Sequence, residues 1–452
     1  MAKIKTVYFC RNCGYESPKW LGKYPSCAEW NTFTEEKVTK VKSSGHLSRT
    51  KSDSKPVAIG KVDKSTGKRI PTGDEETDRV LGGGMVPGSV ILVAGEPGIG
   101  KSTLLLQLAL EYHGKVLYVS GEESKAQIAD RAERIGALTE RCYLLTETDP
   151  EAIVKHAEVI RPDFVVVDSV QTLNASWIES SPGTISQIRE SAANILRFAK
   201  EEGITVFMVG HITKEGNIAG PKVMEHMVDT VMFFEGDQNH VFRLLRCTKN
   251  RFGNTHELGI FRMEGSGLKQ VKNPSEFLMS GYAENLSGSA AASIMEGIRP
   301  LIIEVQALVS SAVYGTPQRS TTGFDVKRLN MLLAVLEKRC GFKLGGRDVF
   351  LNIAGGMKVN DPSVDLAVVA AVLSSGEDLS LPRDHCFAGE VGLSGEIRPV
   401  NRIEQRVAEA AKLGFKTMFV SKYHEENFAG EQKDISIISV GHVREMLREM
   451  FG

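Results

Sequence analysis

The stretch "SVILVAGEPGIGKSTL", residues 89–104, decides the fold of this chain. It joins an apolar strand pattern to a glycine-rich loop and then to the start of a helical pattern. The loop fits the phosphate-binding pattern G-x-x-x-x-G-K-[ST], in which glycines let backbone N–H groups face an anion. A glycine-rich turn that matched by chance would lack the strand before it and the helix after it. We therefore predict a nucleotide site.

The residue types in the loop suit the groups of a nucleoside triphosphate. Lys101 neutralises charge on the β- and γ-phosphates, and Ser102 offers a hydroxyl to magnesium. The start of the following helix adds a partial positive charge. The predicted nucleotide contacts are the nine residues of the loop: Gly95, Glu96, Pro97, Gly98, Ile99, Gly100, Lys101, Ser102 and Thr103.

Short apolar runs alternate with longer amphipathic segments around this loop. The runs are "SVILVAG" (89–95), "KVLYVS" (115–120), "RCYLLT" (141–146), "DFVVVD" (163–168) and "TVFMVG" (205–210). Nearly continuous apolar strands separated by helices indicate a parallel sheet that is buried on both faces, as in doubly wound α/β domains. The later runs "DTVMFFEG" (229–236), "VFRLLRCTKNRFG" (241–253) and "ELGIFRME" (257–264) are predicted to be antiparallel strands that finish the sheet.

Polar side chains at the ends of these runs complete the set that ATP hydrolysis needs. Asp168 follows a buried strand, where a second magnesium ligand is expected. In "YVSGEES" we favour Glu122 over Glu123 as the base that orients water, the alternative being an acidic helix start. His211, in "MVGHITK", either senses the γ-phosphate or is a plain loop residue.

Length and composition limit the classes of protein that remain. A chain of 452 residues predicts two or three domains, and 42% hydrophobic with 25% charged residues is typical of a soluble globular protein. We find no signal peptide and no apolar run that would span a membrane. Single cysteines at 142, 247, 340 and 386 favour a reducing compartment, so we expect a cytoplasmic protein. The net charge of −1 gives no global argument for nucleic-acid binding.

Changes in composition divide the chain into four parts. Residues 1–34 carry three cysteines and form a zinc-finger-like module, and residues 35–69 are a flexible basic linker rich in Ser, Thr and Lys. Residues 70–273 hold the ATPase pattern. Residues 274–452 have their own mixture of helices and strands and are predicted to be a further domain.

The segment "TGDEETDRVLGGGMVPGSVILVAGEPGIGKSTL", residues 72–104, resembles the entry to RecA-type ATPase cores. The whole chain resembles the bacterial RadA (Sms) family of DNA repair proteins. That resemblance implies a RecA-like core with a mostly parallel sheet, a four-cysteine zinc finger before it and an α+β Lon-protease-like domain after it. It also implies ATP and magnesium as ligands, with zinc in the finger.

The resemblance further implies a DNA-dependent ATPase that forms a hexameric ring, as DnaB-type helicases do. It would move single-stranded or branched DNA to promote branch migration or strand-invasion extension, together with a recombinase partner. The alternative is an ATP switch without motor activity that loads on DNA and assists recombinases.

Several basic segments are candidates for DNA or for a neighbouring subunit. The family hallmark "KNRFG" is Lys249, Asn250, Arg251, Phe252 and Gly253. Taken alone it indicates a basic turn; by resemblance, its Lys249 and Arg251 either act on a neighbour's nucleotide or contact DNA phosphates. Two predicted channel loops and one basic helix supply the other candidates: Trp177, Gln187 and Arg189; Lys214 and Lys222; Lys327 and Arg328.

The expected Lon-like domain lacks the Lon catalytic pair. Ser363 stands at the place of the Lon nucleophile, but the segment of the Lon lysine carries Glu404, with Arg402 and Arg406 nearby. We therefore expect no protease activity, and we interpret Ser363 as the N-cap of the following helix.

The N-terminal cysteines pose a different problem. Cys10, Cys13 and Cys27 match three ligands of a zinc finger, whereas Tyr24 stands where the resemblance predicts the fourth cysteine. A phenol is a poor substitute for a thiolate. His46 or water is an alternative fourth ligand, so we expect a weakened zinc site.

Overall fold

The computed structural model describes residues 5–10, 16–23, 30, 33–38, 58–59, 68–136, 138–211, 223–236, 242–272, 274–279, 286–312, 317–354, 357–424 and 434–451. Cys13, Tyr24, Cys27, His46, Lys214 and Lys222 lie outside the described residues. The chain separates into two compact units, one ending at Gln270 and the other continuing from Val271. The finer boundaries at residues 34, 69 and 273 stay a prediction.

The first unit begins with three short strands and continues with an alternation of strands and helices. Its elements are β1 (Lys5–Cys10), β2 (Glu16–Ser17), β3 (Phe33–Val38), α1 (Glu75–Leu81), β4 (Val90–Gly95), α2 (Lys101–Glu111), β5 (Val116–Ser120), α3 (Lys125–Ile135), β6 (Cys142–Thr146), α4 (Pro150–Ile160), β7 (Phe164–Asp168), α5 (Ile185–Glu202), β8 (Thr205–His211), α6 (Val223–Met227), β9 (Thr230–Gly236), β10 (Phe242–Asn250), β11 (Leu258–Glu264) and β12 (Gly267–Gln270).

The central sheet of this unit has nine described strands in the order β12-β11-β10-β9-β4-β8-β7-β5-β6. The strands from β9 to β6 are all parallel to their neighbours, and β10 to β12 add an antiparallel extension. The predicted α/β class and mostly parallel sheet are therefore confirmed. One expectation was wrong: β9 pairs parallel to β4, so the antiparallel part begins at β10.

Apolar side chains cover both faces of the sheet, which is why its strands have little polar alternation. Along β4, Ile91 and Val93 belong to one buried cluster, while Leu92 and Ala94 belong to the other. Helix α2 packs within the first cluster and α5 within the second. The central strands are therefore buried on both faces of the sheet, as the continuous apolar runs predict.

The second unit is an α+β domain. Its elements are α7 (Pro274–Leu278), β13 (Ser289–Glu296), β14 (Arg299–Ser311), β15 (Arg319–Thr322), α8 (Val326–Val335), β16 (Arg347–Ile353), α9 (Asp365–Glu377), β17 (His385–Ala388), β18 (Glu390–Val391), β19 (Ile397–Arg398), α10 (Ile403–Lys412), β20 (Thr417–Ser421), β21 (Ser436–Val440) and α11 (Val443–Phe451). Seven of the described strands form a mixed sheet in the order β15-β16-β14-β13-β17-β20-β21.

Helix α9 is the central helix of this second unit. All its residues from Asp365 to Ser374 are buried, in keeping with the unbroken run "DLAVVAAVLS". A helix that is apolar all round must lie inside the domain. Within the described part of the chain, no helix is both long and apolar enough to cross a bilayer.

Candidate functional site

The candidate nucleotide site lies where the parallel strands of the first unit end. Gly95 ends β4, Ser120 ends β5, Asp168 ends β7 and His211 ends β8. In the register of the sheet Gly95 pairs with His211, and Ser120 pairs with Asp168. Ligands of open α/β sheets bind at this carboxyl edge, so the fold brings the predicted residues together there.

The phosphate loop has the backbone that its glycines predict. Gly98 and Gly100 have φ angles of 76° and 114°, in the left-handed region that favours glycine. Gly100 is the N-cap of α2 and gives it no side-chain cap. The first amides of the helix therefore face the loop without a competing side chain, as an anion site requires.

Lys101 is almost completely buried beside this loop. Its ammonium donates hydrogen bonds of 2.8 Å to the carbonyl oxygens of Gly95 and Glu96. Burial lowers the pKa of Lys101 from 10.5 to about 8, although Asp168 and Glu122 attract the charged form. An ammonium with so little hydration gains strongly from an anionic phosphate, so this environment suits a triphosphate ligand.

Asp168 is held at the end of β7 by a buried tyrosine. The Tyr118 hydroxyl donates a hydrogen bond of 2.8 Å to Asp168 Oδ2. Burial and the neighbouring carboxylate raise the pKa of Tyr118 well above its usual value, so the phenol keeps its proton and remains a donor. Carboxylate and hydroxyl oxygens are ligands that magnesium prefers, and Asp168 with Ser102 provides them. Tyr118 was missed by the sequence analysis because it has the same apolar character as its strand.

Glu122 is the centre of a second group of polar side chains. The fully buried Ser169 donates a hydrogen bond of 2.6 Å to Glu122 Oε1, and His211 Nε2 lies 3.6 Å from the same oxygen. These contacts connect residues at or just after the carboxyl ends of three different strands, β5, β7 and β8. Ser169 was also missed in the sequence, where it is simply the residue that follows Asp168.

The neighbouring Glu123 is occupied elsewhere. Its carboxylate pairs with Arg131 on α3, the helix that directly follows β5. Ser120 Oγ accepts the backbone N–H groups of both Glu122 and Glu123, which fixes the turn after β5. Of the two glutamates, Glu122 is therefore the one that lies with Ser169 and His211, and its role as the base stays a prediction.

An open cleft of about 460 Å³ lies beside Glu122 at the carboxyl ends of β5 and β6. Glu122, Ser124, Thr146 and Thr148 are among the residues that line it. The cleft makes the Glu122 side chain accessible to water and to a ligand, although Ser169 holds one of its oxygens.

Three family models match separate parts of the chain. An AAA domain matches residues 61–217, the subunit ChlI of Mg-chelatase matches residues 306–424, and a rubredoxin metal binding domain matches residues 8–35. The first covers the phosphate loop and Asp168. The second lies in the α+β unit and supports its predicted Lon-like class, and the third covers the cysteine module.

Full-length relatives complete this comparison. The DNA repair protein RadA of Bacillus subtilis is 48% identical over 458 residues, covering 100% of both chains. The RadA proteins of Listeria monocytogenes and Streptococcus pyogenes are 48% and 47% identical over 99% and 100% of both chains. This chain belongs to the RadA family.

A solved structure also matches the chain in part. The KaiC-like protein of Pyrococcus horikoshii covers 45% of this chain and 99% of its own, with 18% identity and a TM-score of 0.38.

The KNRFG segment of this RadA-family chain is tied into the first unit by its first residue. Lys249 Nζ donates to the carbonyl oxygens of Glu225, His226 and Val228, at 2.6, 3.2 and 2.7 Å, at the C-terminal end of the short helix α6. Burial and the nearby Arg251 lower the pKa of Lys249. Lys249 would have to break these three hydrogen bonds before it could contact a phosphate outside the chain. In this structure its contacts therefore favour a role in holding the segment against α6.

Arg251 and Phe252 are the more accessible members of the segment. The Arg251 guanidinium, half exposed, lies 3.3 Å from Oδ1 of the buried Asp229, and the Phe252 ring is 43% exposed. Asp229 Oδ2 in turn accepts the backbone N–H of Val90, the first residue of β4. The segment therefore lies at the opposite end of β4 from the phosphate loop.

Asn250 and Gly253 shape the turn itself. Asn250 Oδ1 accepts the N–H of Phe252 at 3.0 Å, and its amide donates to Leu81 O at 3.2 Å. A side chain at Gly253 would lie 2.9 Å from Asn250 Nδ2, too close for a Cβ. Arg69 also donates to the carbonyl of Phe252. These contacts place the asparagine and the glycine at the centre of the turn.

Not all of the side chains predicted in the channel loop after Asp168 are exposed for contact with DNA. Gln187 is completely buried, and its amide bonds the backbone of Ala175, Ile178 and Ser180, so its expected place facing a channel was wrong. A buried amide needs hydrogen-bond partners, and the Gln187 amide finds them in the backbone of this loop, which it thereby fixes against α5. Arg189 lies on α5 rather than in the loop and is exposed.

The Lon-like unit replaces the catalytic pair with a buried arginine. Arg406 is completely buried, and its guanidinium donates to Ser363 Oγ at 2.8 Å and to Asp361 Oδ2 at 2.7 Å. Of the residues in the segment of the Lon lysine, Arg406 is the one that contacts the Ser363 hydroxyl. An arginine does not lose its proton in proteins, so it offers no base to this serine.

Ser363 has a structural role different from the one predicted. Its hydroxyl donates to Ser293 O at 3.0 Å on β13, and the N-cap that accepts the Ser363 N–H is Asp361. Helix α9 begins only at Asp365, with Val364 as its N-cap. The N-cap prediction for Ser363 was wrong because a 3₁₀ turn precedes the helix.

Of the two basic residues on α8, one is paired and one is exposed. The Arg328 guanidinium binds both oxygens of the buried Asp365 and lies 3.6 Å from Glu390. A side chain that neutralises a buried carboxylate is not free for DNA, so we withdraw Arg328 from the DNA candidates. Lys327 is exposed and remains one.

The described part of the cysteine module contains one of the three expected zinc ligands. Cys10, at the end of β1, is completely buried. Cys13, Cys27 and Tyr24 are outside the described residues, so the sequence and the rubredoxin-type match carry the zinc prediction. Three thiolates suit zinc, and Cys10, Cys13 and Cys27 would hold it, with Tyr24 as a poor fourth donor.

Proposed function

We propose that this protein is a DNA-dependent ATPase of recombinational DNA repair, acting as a ring-shaped homo-hexameric motor on single-stranded or branched DNA. The names of the full-length relatives support the repair process. The match to an AAA domain and the group of Lys101, Asp168 and Glu122 support ATP hydrolysis.

Each residue of the site has a distinct part in the proposed reaction. Lys101 leaves the carbonyl groups of its own loop to neutralise the β- and γ-phosphates. Ser102 and Asp168 would hold magnesium, which supplies charge neutralisation on the phosphate oxygens when bound. Glu122 orients water and accepts its proton, with Ser169 holding the carboxylate in position.

One observation carries the proposal of a ring. Arg251 contacts Asp229 next to Val90, at the start of β4, whereas the phosphate loop follows Gly95 at its end. Five residue steps of a strand span about 17 Å. Arg251 therefore lies at the opposite end of β4 from the phosphate loop of its own chain, and we propose that it acts on the nucleotide of a neighbour.

Mixed rings test this arrangement directly. Lys101→Ala removes the phosphate contact but keeps Arg251, and Arg251→Ala does the reverse. Each variant alone should have background ATPase activity, while co-expressed mixed rings should recover part of it because an intact site forms between unlike subunits. Arg246→Ala, on strand β10 just before Arg251, is the matched control and should keep its activity. Mixed rings that stay at background would contradict the proposal for Arg251.

An ATP switch without motor activity is the second candidate, supported by the same site. Both candidates require Lys101, but they differ in their need for hydrolysis. Glu122→Gln should still load on DNA with ATP and should fail to unwind a forked substrate if the protein is a motor. Glu123→Gln, the matched control, should unwind normally. Unwinding by Glu122→Gln would remove the motor role from that residue.

We further propose that the Lon-like unit is not a protease and that it contributes to DNA contact or ring assembly. The Ser363–Arg406 contact supports the first part, because it leaves the serine without a base. Lys327 and Arg189 remain proposed DNA contacts, together with Lys214 and Lys222 outside the described residues. A recombinase partner and a cytoplasmic location stay predictions from the sequence.

A further inference from the structure

Two tryptophan side chains lie exposed on the small N-terminal module. Trp20 is 54% exposed and Trp30 is 66% exposed. Both indoles reach the same glycine: the position of a Cβ on Gly22 would be 3.6 Å from the Trp30 ring and 3.8 Å from the Trp20 ring. The two rings therefore border one shared surface, with the glycine backbone between them.

One lysine lies over a ring, and a second adjoins the other ring in the chain. Lys23 Nζ lies 5.9 Å from the centre of the Trp30 ring, within the range of a cation–π contact. Lys19 is exposed, directly before Trp20, and its backbone is fixed by a turn in which Ser17 Oγ accepts the Lys19 N–H and donates to the Lys19 carbonyl. We call Lys19, Trp20, Lys23 and Trp30 the indole–lysine surface.

Neither ring belongs to the buried apolar cluster found among the described residues of the module. Its described buried apolar side chains include Val7 and Phe9 of β1, which pack with Ile185 at the start of α5. Exposing two indoles to water is unfavourable, because tryptophan has one of the largest apolar surfaces of any side chain. A ligand that covers flat aromatic faces and carries negative charge would match both parts of the surface.

We infer that the indole–lysine surface is a stacking site for single-stranded DNA. Unpaired bases stack on exposed aromatic rings whatever their sequence, and lysines beside the rings neutralise the backbone phosphates. Two indoles around one glycine offer room for adjacent bases, while Lys19 and Lys23 supply the charge. The inference takes its ligand from the proposed function, but the site is separate from the ATPase sheet and acts without nucleotide.

Tryptophan emission gives a direct readout, because the chain has only three tryptophans. In a Trp177→Phe background of the full-length protein, the remaining emission comes from Trp20 and Trp30. Titration with a thymidine oligonucleotide in the absence of ATP should quench that emission, in parallel with binding measured by anisotropy of the labelled oligonucleotide.

Substitutions separate stacking from charge. Trp20→Ala and Trp30→Ala should each weaken binding about tenfold, as expected for the loss of one stacked base. Trp20→Phe and Trp30→Phe keep an aromatic face and should bind more tightly than the alanine variants, which excludes misfolding as the cause. Lys19→Gln with Lys23→Gln should reduce the slope of log affinity against log salt by about 1.4, at roughly 0.7 per phosphate contact.

The outcomes distinguish this inference from the proposed function. Binding of the oligonucleotide without quenching, or with unchanged affinity in both alanine variants, would overturn the stacking site and leave the motor intact, and the surface would then belong to a protein partner. A full-length protein that does not bind the oligonucleotide at all, with or without ATP, would overturn both.

Discussion

The hydroxyl of Ser169 lies 2.6 Å from Glu122 Oε1 and joins the residue after β7 to the turn after β5. Ser169 is covalently next to Asp168, so this hydrogen bond couples the position of the proposed base to that of the proposed magnesium ligand. A fully buried hydroxyl that donates to a carboxylate holds it in one orientation.

We predict that Ser169→Ala lowers kcat for ATP about tenfold and leaves nucleotide affinity near that of the parent. Hydrogen bonds to charged groups contribute about 1.5–3 kcal/mol, and about 1.4 kcal/mol corresponds to a factor of ten in rate. Steady-state kinetics with a separate measurement of nucleotide binding check this. Glu122→Gln should cost about a hundredfold or more, and Glu123→Gln little. Weaker binding with an unchanged kcat would assign Ser169 to folding of the site alone.

Lys101 predicts a pH dependence of stability in the nucleotide-free protein. Its pKa is lowered from 10.5 to about 8, so the buried ammonium costs stability below pH 8, by up to about 3 kcal/mol. Between pH 8 and 10.5 the folded protein binds fewer protons at this site than the unfolded chain, and the cost is removed as the pH rises.

The measurement compares the parent with Lys101→Met, which lacks the titrating group. At pH 7 the variant should have the higher midpoint of thermal unfolding, and the difference should shrink steadily as the pH rises from 8 to 10.5. Other groups titrate equally in both proteins and cancel. A constant difference across this range would show that Lys101 keeps its ordinary pKa.

Arg406 should be essential for the stability of the second unit. Arg406→Leu leaves Asp361 without its charged partner inside the domain, which costs about 3 kcal/mol or more in the free energy of unfolding. Ser363→Ala removes one hydroxyl and should cost only about 1 kcal/mol. Denaturant unfolding checks both values, and the exposed Arg402→Gln is the neighbouring control. A parent protein that degrades casein, with loss of activity in Ser363→Ala, would refute the absence of a protease.

We predict that Tyr24 weakens zinc binding in the cysteine module. Three thiolates with a phenol should lose zinc to a chelator faster than four thiolates, so Tyr24→Cys should slow the loss at least tenfold. Zinc release can be followed with a colorimetric chelator on the full-length protein, with Tyr8→Phe as a control outside the ligand positions. Equal release rates in the parent and in Tyr24→Cys would show that Tyr24 does not weaken the site.

Local patterns predicted the elements that depend on local physics. Continuous apolar runs predicted five parallel strands. Four of them, β4, β5, β7 and β8, are buried on both faces and so have no polar alternation, whereas β6 lies at the edge of the sheet and is only partly buried. The phosphate loop could also be predicted from the sequence. Its glycines shape the backbone and its lysine supplies the charge, and all of them lie within nine residues. Asp168 and Glu122 followed as the polar ends of neighbouring strands.

Contacts between distant segments were decided by the tertiary structure alone. The sequence determined the ATPase class, the phosphate loop and the absence of a Lon lysine, since each depends on residue types in a short stretch. Only the fold brought Ser169 to Glu122, Tyr118 to Asp168 and Arg406 to Ser363, and only the fold closed Arg328 onto Asp365. Those pairs join residues from different elements, so their distances depend on sheet order and packing, which no local pattern encodes.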